Sequence, residues 1–126
     1  MSTSRREARR TALTLLYQWD LTDQPLASLF EGEVDEYARE VAEAVVAHAD
    51  ELDRRITEVS TGWPADRLGL VERNVLRLGL HELDAGDVPP EVVIDEAVTL
   101  AKRFASEDAA RLVNGILGRI VRERVT

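Results

Sequence analysis

Four arginines, Arg5, Arg6, Arg9 and Arg10, crowd the start of the chain, and Tyr17 follows two helical turns later. Arginine neutralises phosphate, and an aromatic ring offers a face on which a base stacks, so this combination suits single-stranded RNA. On a helix Arg6, Arg10, Leu13 and Tyr17 fall at i, i+4, i+7 and i+11, with Arg5 and Arg9 beside them. The spacing predicts a basic stripe that ends in an exposed aromatic. A plainer reading stays open: the arginines only solvate the helix, and Tyr17 plugs the edge of the core. Composition leans to the plainer reading. Arginine at the positive end of a helix dipole is mildly unfavourable, which leans the other way.

The chemistry of catalysis is thinly represented. His48 and His81 are the only histidines, and neither stands in an H-x-x-x-H or E-x-x-H spacing. A zinc or di-iron centre needs several such ligands converging, so no metal is expected. There is no cysteine, which excludes a thiol nucleophile, a thiolate metal site and a disulfide framework, and which fits a reducing cytoplasm. The acid pairs Asp95-Glu96 and Glu107-Asp108 are adjacent, and adjacent helical residues diverge by about 100°, so neither is an acid–base dyad. No G-x-S-x-G elbow and no glycine-rich phosphate loop after a strand occurs. The expectation is a protein with no catalytic residues and no cofactor.

The elements that must position the arginines read as helices nearly throughout. Ser4 and Glu7 have capping-box form, and Ala8, Ala12, Leu15, Leu16 and Trp19 then make one apolar face of a helix over about 4–22. Gln24-Pro25 breaks it, and residues 25–33 form a loop or short helical turn with Leu26, Leu29 and Phe30 inward. From Val34 to Val59 apolar residues recur every three or four positions, with a break expected near His48–Glu51, where Asp50 could cap a second segment. Thr61-Gly62-Trp63-Pro64 ends this stretch. From Leu70 to Leu83 apolar residues cover more than half of the circumference, as in a central helix, and Asp84-Ala85-Gly86 stops it. Pro89-Pro90 starts another helix, with Pro90 suited to its first position and Ile94, Ala97, Val98, Ala101 and Phe104 on the apolar face. Ser106-Glu107-Asp108 caps the last helix, with Leu112, Val113, Ile116, Leu117 and Ile120 inward. Gly115 and Gly118 are costly in a helix and are expected to permit close approach of a neighbouring one.

No segment reads as a strand. A chain of 126 residues, 44% hydrophobic and 32% charged, has the size and composition of one soluble domain. No apolar run of about 18 residues exists, and no signal-peptide core follows the arginines. The net charge of −8 is unevenly spread. The head is basic, whereas residues 20–58 hold twelve acids against Arg39, Arg54 and Arg55. Such an acidic body repels phosphate at long range, so RNA binding would need the local stripe and gain from a basic partner. The acidic surface over 31–58 is either a solubilising face or a docking face for that partner.

Three stretches together resemble the NusB family of bacterial transcription antitermination factors. The first is Arg5-Arg6-Glu7-Ala8-Arg9-Arg10, then Ala12-Leu13 and Leu16-Tyr17-Gln18-Trp19. The second is Val71-Glu72-Arg73-Asn74-Val75-Leu76-Arg77, leading to His81-Glu82-Leu83. The third is Val88-Pro89, Val93-Ile94-Asp95-Glu96-Ala97-Val98, Leu100-Ala101-Lys102-Arg103-Phe104 and Val113-Asn114-Gly115-Ile116-Leu117. Their order and spacing match from about residue 5 to 121.

The resemblance implies an all-α fold of six to seven helices in two packed subdomains, with residues 1–126 forming a single RNA- and protein-binding domain. It implies a non-enzymatic, cytoplasmic factor that pairs with NusE, a basic protein of the small ribosomal subunit, and binds boxA RNA. Other Nus factors and RNA polymerase would complete the assembly on ribosomal RNA operons, and some members form homodimers. By the same resemblance Arg5, Arg6, Arg9, Arg10, Tyr17, Lys102 and Phe104 would contact RNA, and Tyr17, Glu72 and Asp108 would contact the protein partner. The chain departs from the family at Asp95, where many members carry Asn, and at Leu112, where Phe commonly precedes V-N-G. A basic C-terminal tail found in some members is missing. Two alternatives remain: a protein-only helical adaptor without RNA specificity, and the NusB-like domain of an RNA cytosine methyltransferase. The second requires a fragment, and Met1 and the stop after Thr126 lead us to expect a complete chain.

Overall fold

The computed structural model describes residues 4–60 and 64–124. Among these are six α-helices, two short 3-10 turns and no strand. The helices are α1 (Arg5–Thr22), α2 (Glu36–Ala47), α3 (Ala49–Val59), α4 (Leu70–Ala85), α5 (Pro90–Phe104) and α6 (Glu107–Arg124), and the turns cover Leu26–Leu29 and Ala65–Arg67.

Local chemistry sets most helix ends. The Ser4 hydroxyl accepts the Glu7 N–H at 3.1 Å, and the Ser106 hydroxyl accepts the Ala109 N–H at 3.0 Å. Each removes one of the donors that a helix start leaves unpaired. Pro90 opens α5, where its missing N–H costs nothing. Gly86 closes α4 at φ 76°, a left-handed conformation that glycine adopts without strain. The expected break falls at His48, between α2 and α3, but Asp50 does not cap there and lies in the first turn of α3. Asp35 rather than Val34 opens α2, accepting the Ala38 N–H at 3.1 Å. Leu26 is buried in the turn after α1, with Leu29 and Phe30 half-buried. Thr61, Gly62 and Trp63, expected to end the α3 region, lie outside the described residues, as do Val125 and Thr126.

The central helix is α4, as its apolar circumference predicts. It packs against α1, α2, α3, α5 and α6, while α1 pairs with α2 and α5 with α6 on either side. Val75, Leu76, Leu78 and Leu80 are buried along it, within one core that also takes Leu16, Val45, Ile56, Val93, Val113 and Leu117. Close approach does depend on a glycine, but on Gly79. A Cβ there would stand 2.9 Å from Leu117 Cδ1 and 3.7 Å from Ala97 Cβ, where α4 meets α6 and α5. The expectation for the α6 glycines fails: nothing lies within 4 Å of the Gly115 position, and Gly118 meets only Arg122 of its own helix.

Polar groups also tie this core. The Asp20 carboxylate, from α1, accepts from Arg73, Asn74 and Arg77 of α4 at 2.9, 3.0 and 3.1 Å. Arg77 also forks onto Asp53 of α3 at 2.6 and 2.7 Å and lies over the Trp19 ring. Among the described residues no buried side-chain nitrogen or oxygen lacks a partner. Satisfied in this way, buried charges cost far less than they would alone.

Candidate nucleic-acid interface

Ser4 starts α1 so that its first two turns carry all four arginines, but the fold gives each a different environment. Arg9 is buried. Its Nε–H donates to both Glu82 oxygens at 2.8 and 3.1 Å, and the Tyr37 hydroxyl donates to the same carboxylate at 2.5 Å. Arg9 therefore does not belong to the exposed stripe that its spacing predicts. Arg5 lies over the Tyr37 ring, 3.7 Å from its centroid, a cation–π contact. Arg6 is exposed and forks onto Glu96 of α5 at 2.8 and 3.2 Å. Arg10, half-buried, forms no ion pair among the described residues. It lines a groove of about 480 Å³ with Thr14 and Gln18, opposite Glu31, Glu33 and Asp35.

These partners shift proton equilibria. The hydrogen bond from Arg6 holds the Glu96 carboxyl below its ordinary range, against a smaller opposing effect of burial. Burial first, and then the hydrogen bond to Glu82, pushes the Tyr37 hydroxyl up to about 12. Burial lowers His81 below the usual histidine range. Among the described residues no cluster of three or more His, Asp or Glu side chains is arranged to hold a metal ion.

A second groove, of about 270 Å³, lies on the other flank of Thr14. Leu13, Thr14 and Tyr17 of α1, Val71 of α4 and Phe104 of α5 line it. Tyr17 and Phe104 are 36% and 46% exposed, so two large rings meet solvent in one depression. Phe104 thus leaves the inward face that its periodicity predicts, since the helix ends there. Glu72, beside Val71, sits in the first turn of α4 and folds back over Gly69, so close that a Cβ on Gly69 would overlap its carboxylate. An acid in this position complements the helix dipole. Tyr17, Phe104 and the start of α4 are therefore brought together.

Lys102 is not brought there. It lines a separate groove between α5 and α6 with Asp95, Arg111 and Asn114, and lies 3.7 Å from Glu107. Asp108 is exposed in the first turn of α6 and pairs with Arg111 of its own helix. Leu112 is half-buried against the core. Sequence reasoning missed Arg103, whose guanidinium lies 5.4 Å from the Phe104 centroid, and Val71 as groove lining. It also missed Glu82, Glu96 and Tyr37 as partners of the arginine head. Charge alternation within one helix carries no signal for pairs that form between helices.

Comparison with known proteins identifies the family of this fold. The NusB family model matches residues 6–122. A transcription antitermination protein NusB from Rubrobacter xylanophilus is 44% identical, over 90% of this chain and 87% of its own length. The structure of T. maritima NusB is similar with a TM-score of 0.86 at 34% identity, covering 98% of this chain and 94% of that one. A chain in the crystal structure of antitermination factors NusB and NusE in complex with double-stranded RNA has a TM-score of 0.84 at 35% identity, covering 94% and 96%. In sequence from Arg6 to Arg122 and in the packing of its helices, this chain belongs to the NusB family.

Proposed function

We propose that this protein is a transcription antitermination factor that pairs with NusE and binds boxA RNA, supporting processive transcription of ribosomal RNA operons. The observation that carries the reading is its likeness, along nearly all of both chains, to a protein crystallised with NusE and RNA. The local geometry is compatible. The groove of Tyr17 and Phe104, flanked by Glu72, offers a protein partner apolar rings beside an acid. The groove of Arg10, Thr14 and Gln18 adjoins it across α1; its α1 wall offers RNA a cation and hydrogen-bonding groups, while Glu31, Glu33 and Asp35 on the facing wall repel phosphate. Arg5 and Arg6 extend that cationic edge, whereas Lys102 would meet RNA, and Asp108 the protein partner, from the separate surface of α5 and α6.

In this reading the whole chain acts as one binding domain, because α4 touches every other helix. Its role is recognition rather than catalysis, in the cytoplasm, where other Nus factors and RNA polymerase complete the assembly. A homodimer would use the same apolar groove and so compete with NusE. One observation favours the protein-only alternative: Arg5, Arg6 and Arg9 already have partners within the chain. Fluorescence anisotropy of labelled boxA-type RNA against a scrambled RNA, with and without the cognate NusE, separates the two. Selective binding that tightens with NusE is expected. NusE binding without RNA selectivity would leave the adaptor.

A further inference from the structure

The Arg6–Glu96 pair occupies one of the two double-donor edges of the guanidinium. Nε and Nη2 both donate to Glu96 along the side edge, which leaves the Nη1 hydrogens and the second Nη2 hydrogen as the donors that face another oxygen ligand among the described residues. The Arg6 side chain is 68% exposed, but that of Glu96 is only 16% exposed. The cation is therefore accessible to a ligand, while its partner is anchored in the α5 surface. A phosphate that takes the side edge leaves the Glu96 carboxylate unpaired where it is only slightly exposed, and one that takes the outer edge binds a cation whose charge the anchored carboxylate already offsets. Among the described residues neither Arg5, which lies over the Tyr37 ring, nor Arg10 forms an ion pair with a carboxylate.

We propose that Glu96 is a specificity-determining residue: it competes with phosphate for Arg6 and so suppresses RNA binding that lacks further contacts. This rests on the RNA-binding reading above and adds a gate to it. An RNA held only by its backbone gains too little to overcome the Glu96 charge beside Arg6. An RNA also held by base contacts or by a protein partner gains enough. A built-in competitor of this kind discriminates by penalising the wrong ligand rather than by attracting the right one.

The test is anisotropy with boxA-type and scrambled RNA for the wild type, Glu96→Gln, Arg6→Gln and the double variant, each checked for helicity by circular dichroism. Glu96→Gln is expected to bind both RNAs about two- to fivefold more tightly, the scale of a solvent-facing ion pair. Its salt slope should steepen by about 0.7 for one more phosphate neutralised on a single strand. The gain should be larger for scrambled RNA and should vanish in the Arg6→Gln background. Glu91→Gln, which removes an exposed acid from the same helix, should bind as the wild type does. Unchanged or weaker binding by Glu96→Gln overturns the gate, as does a gain that survives loss of Arg6 or is matched by Glu91→Gln. If the wild type fails to distinguish the two RNAs even with NusE, the antitermination reading falls instead, and the Arg6-dependent gain still reports on the gate.

Discussion

Arg9 on α1 and Glu82 on α4 form a buried ion pair, with the Arg9 Nε–H 2.8 and 3.1 Å from the two carboxylate oxygens. Tyr37 of α2 donates to the same group, so one carboxylate joins three helices. An arginine that looks like its three neighbours in sequence is thus part of the interior.

Removing Arg9 should be a stability lesion before it is a binding one. Arg9→Ala leaves the Glu82 charge buried with only Tyr37, and breaking such a pair typically costs about 3–5 kcal/mol. Arg10→Ala, at a site with no ion pair among the described residues, should change stability by less than about 0.5 kcal/mol. Urea unfolding monitored by circular dichroism checks both. Equal, small changes would show that the Arg9–Glu82 pair does not persist in solution.

Tyr37 should govern an alkaline limb of stability. Its hydroxyl titrates at about 12 in the fold, above the ordinary value of 10.0. The neutral form is therefore favoured by folding. Its contribution is full below pH about 10 and is lost as pH rises towards 12. Phenolate absorbance of a Tyr17→Phe variant, which leaves Tyr37 as the one tyrosine, should show titration near 12. Titration at the ordinary value would mean that the hydroxyl is free. Tyr37→Phe should flatten the alkaline limb.

The glycines of α4 and α6 should respond with opposite signs. Gly79→Ala pushes a methyl towards the buried Leu117, and overpacking of that kind costs about 1–3 kcal/mol, part of which the better helix propensity offsets. Gly115→Ala adds its methyl to open space and should gain up to about 1 kcal/mol. Thermal unfolding of the two variants should move the melting temperature down and up, respectively. A rise for both would place Gly79 away from any tight crossing.

Neutralising Arg6 and Arg10 together should weaken RNA binding and flatten its salt dependence. The slope should fall by about 0.7 for each single-strand phosphate that is no longer neutralised. Affinity measured across a salt series gives the answer. An unchanged slope would make the stripe a solvated surface.

Glu72→Lys should impair pairing with NusE and keep the fold. Glu72 sits in the first turn of α4, where a cation opposes the helix dipole by about 0.3–1 kcal/mol, too little to unfold a domain. Co-purification with NusE and circular dichroism read the two effects separately. Undiminished pairing would locate the partner surface elsewhere.

How far the sequence is legible depends on the range of the physics involved. The starts of α1 and α6, the break at His48 and the stop at Gly86 are all readable, because each depends on residues within one turn. The all-α class follows from periodicity of three to four, and the centrality of α4 from apolar residues around more than half of its circumference. The glycine at the close approach is Gly79 of α4 rather than the expected pair on α6, because which glycine meets a neighbour depends on where the two helices cross. The candidate surface is legible in part. Tyr17 and Phe104 both stand out in the sequence and share a groove, whereas Lys102, expected beside them, faces another.

What the sequence determined by itself was local: which segments are helical, where the basic head and the acidic body lie, and, through ordered motifs, membership of the family. The tertiary structure decided the state of each charge. Glu82 lies 73 positions from Arg9, and Glu96 lies 90 positions from Arg6. Whether an arginine is buried, paired at the surface or without an ion pair is therefore set by residues far away in the chain. Helix periodicity acts over one or two turns and carries no information about such pairs. They arise only when packing of the apolar faces sets α1 and α5 against the same central α4, and the hydrogen bonds that fix each pair form only at contact distance.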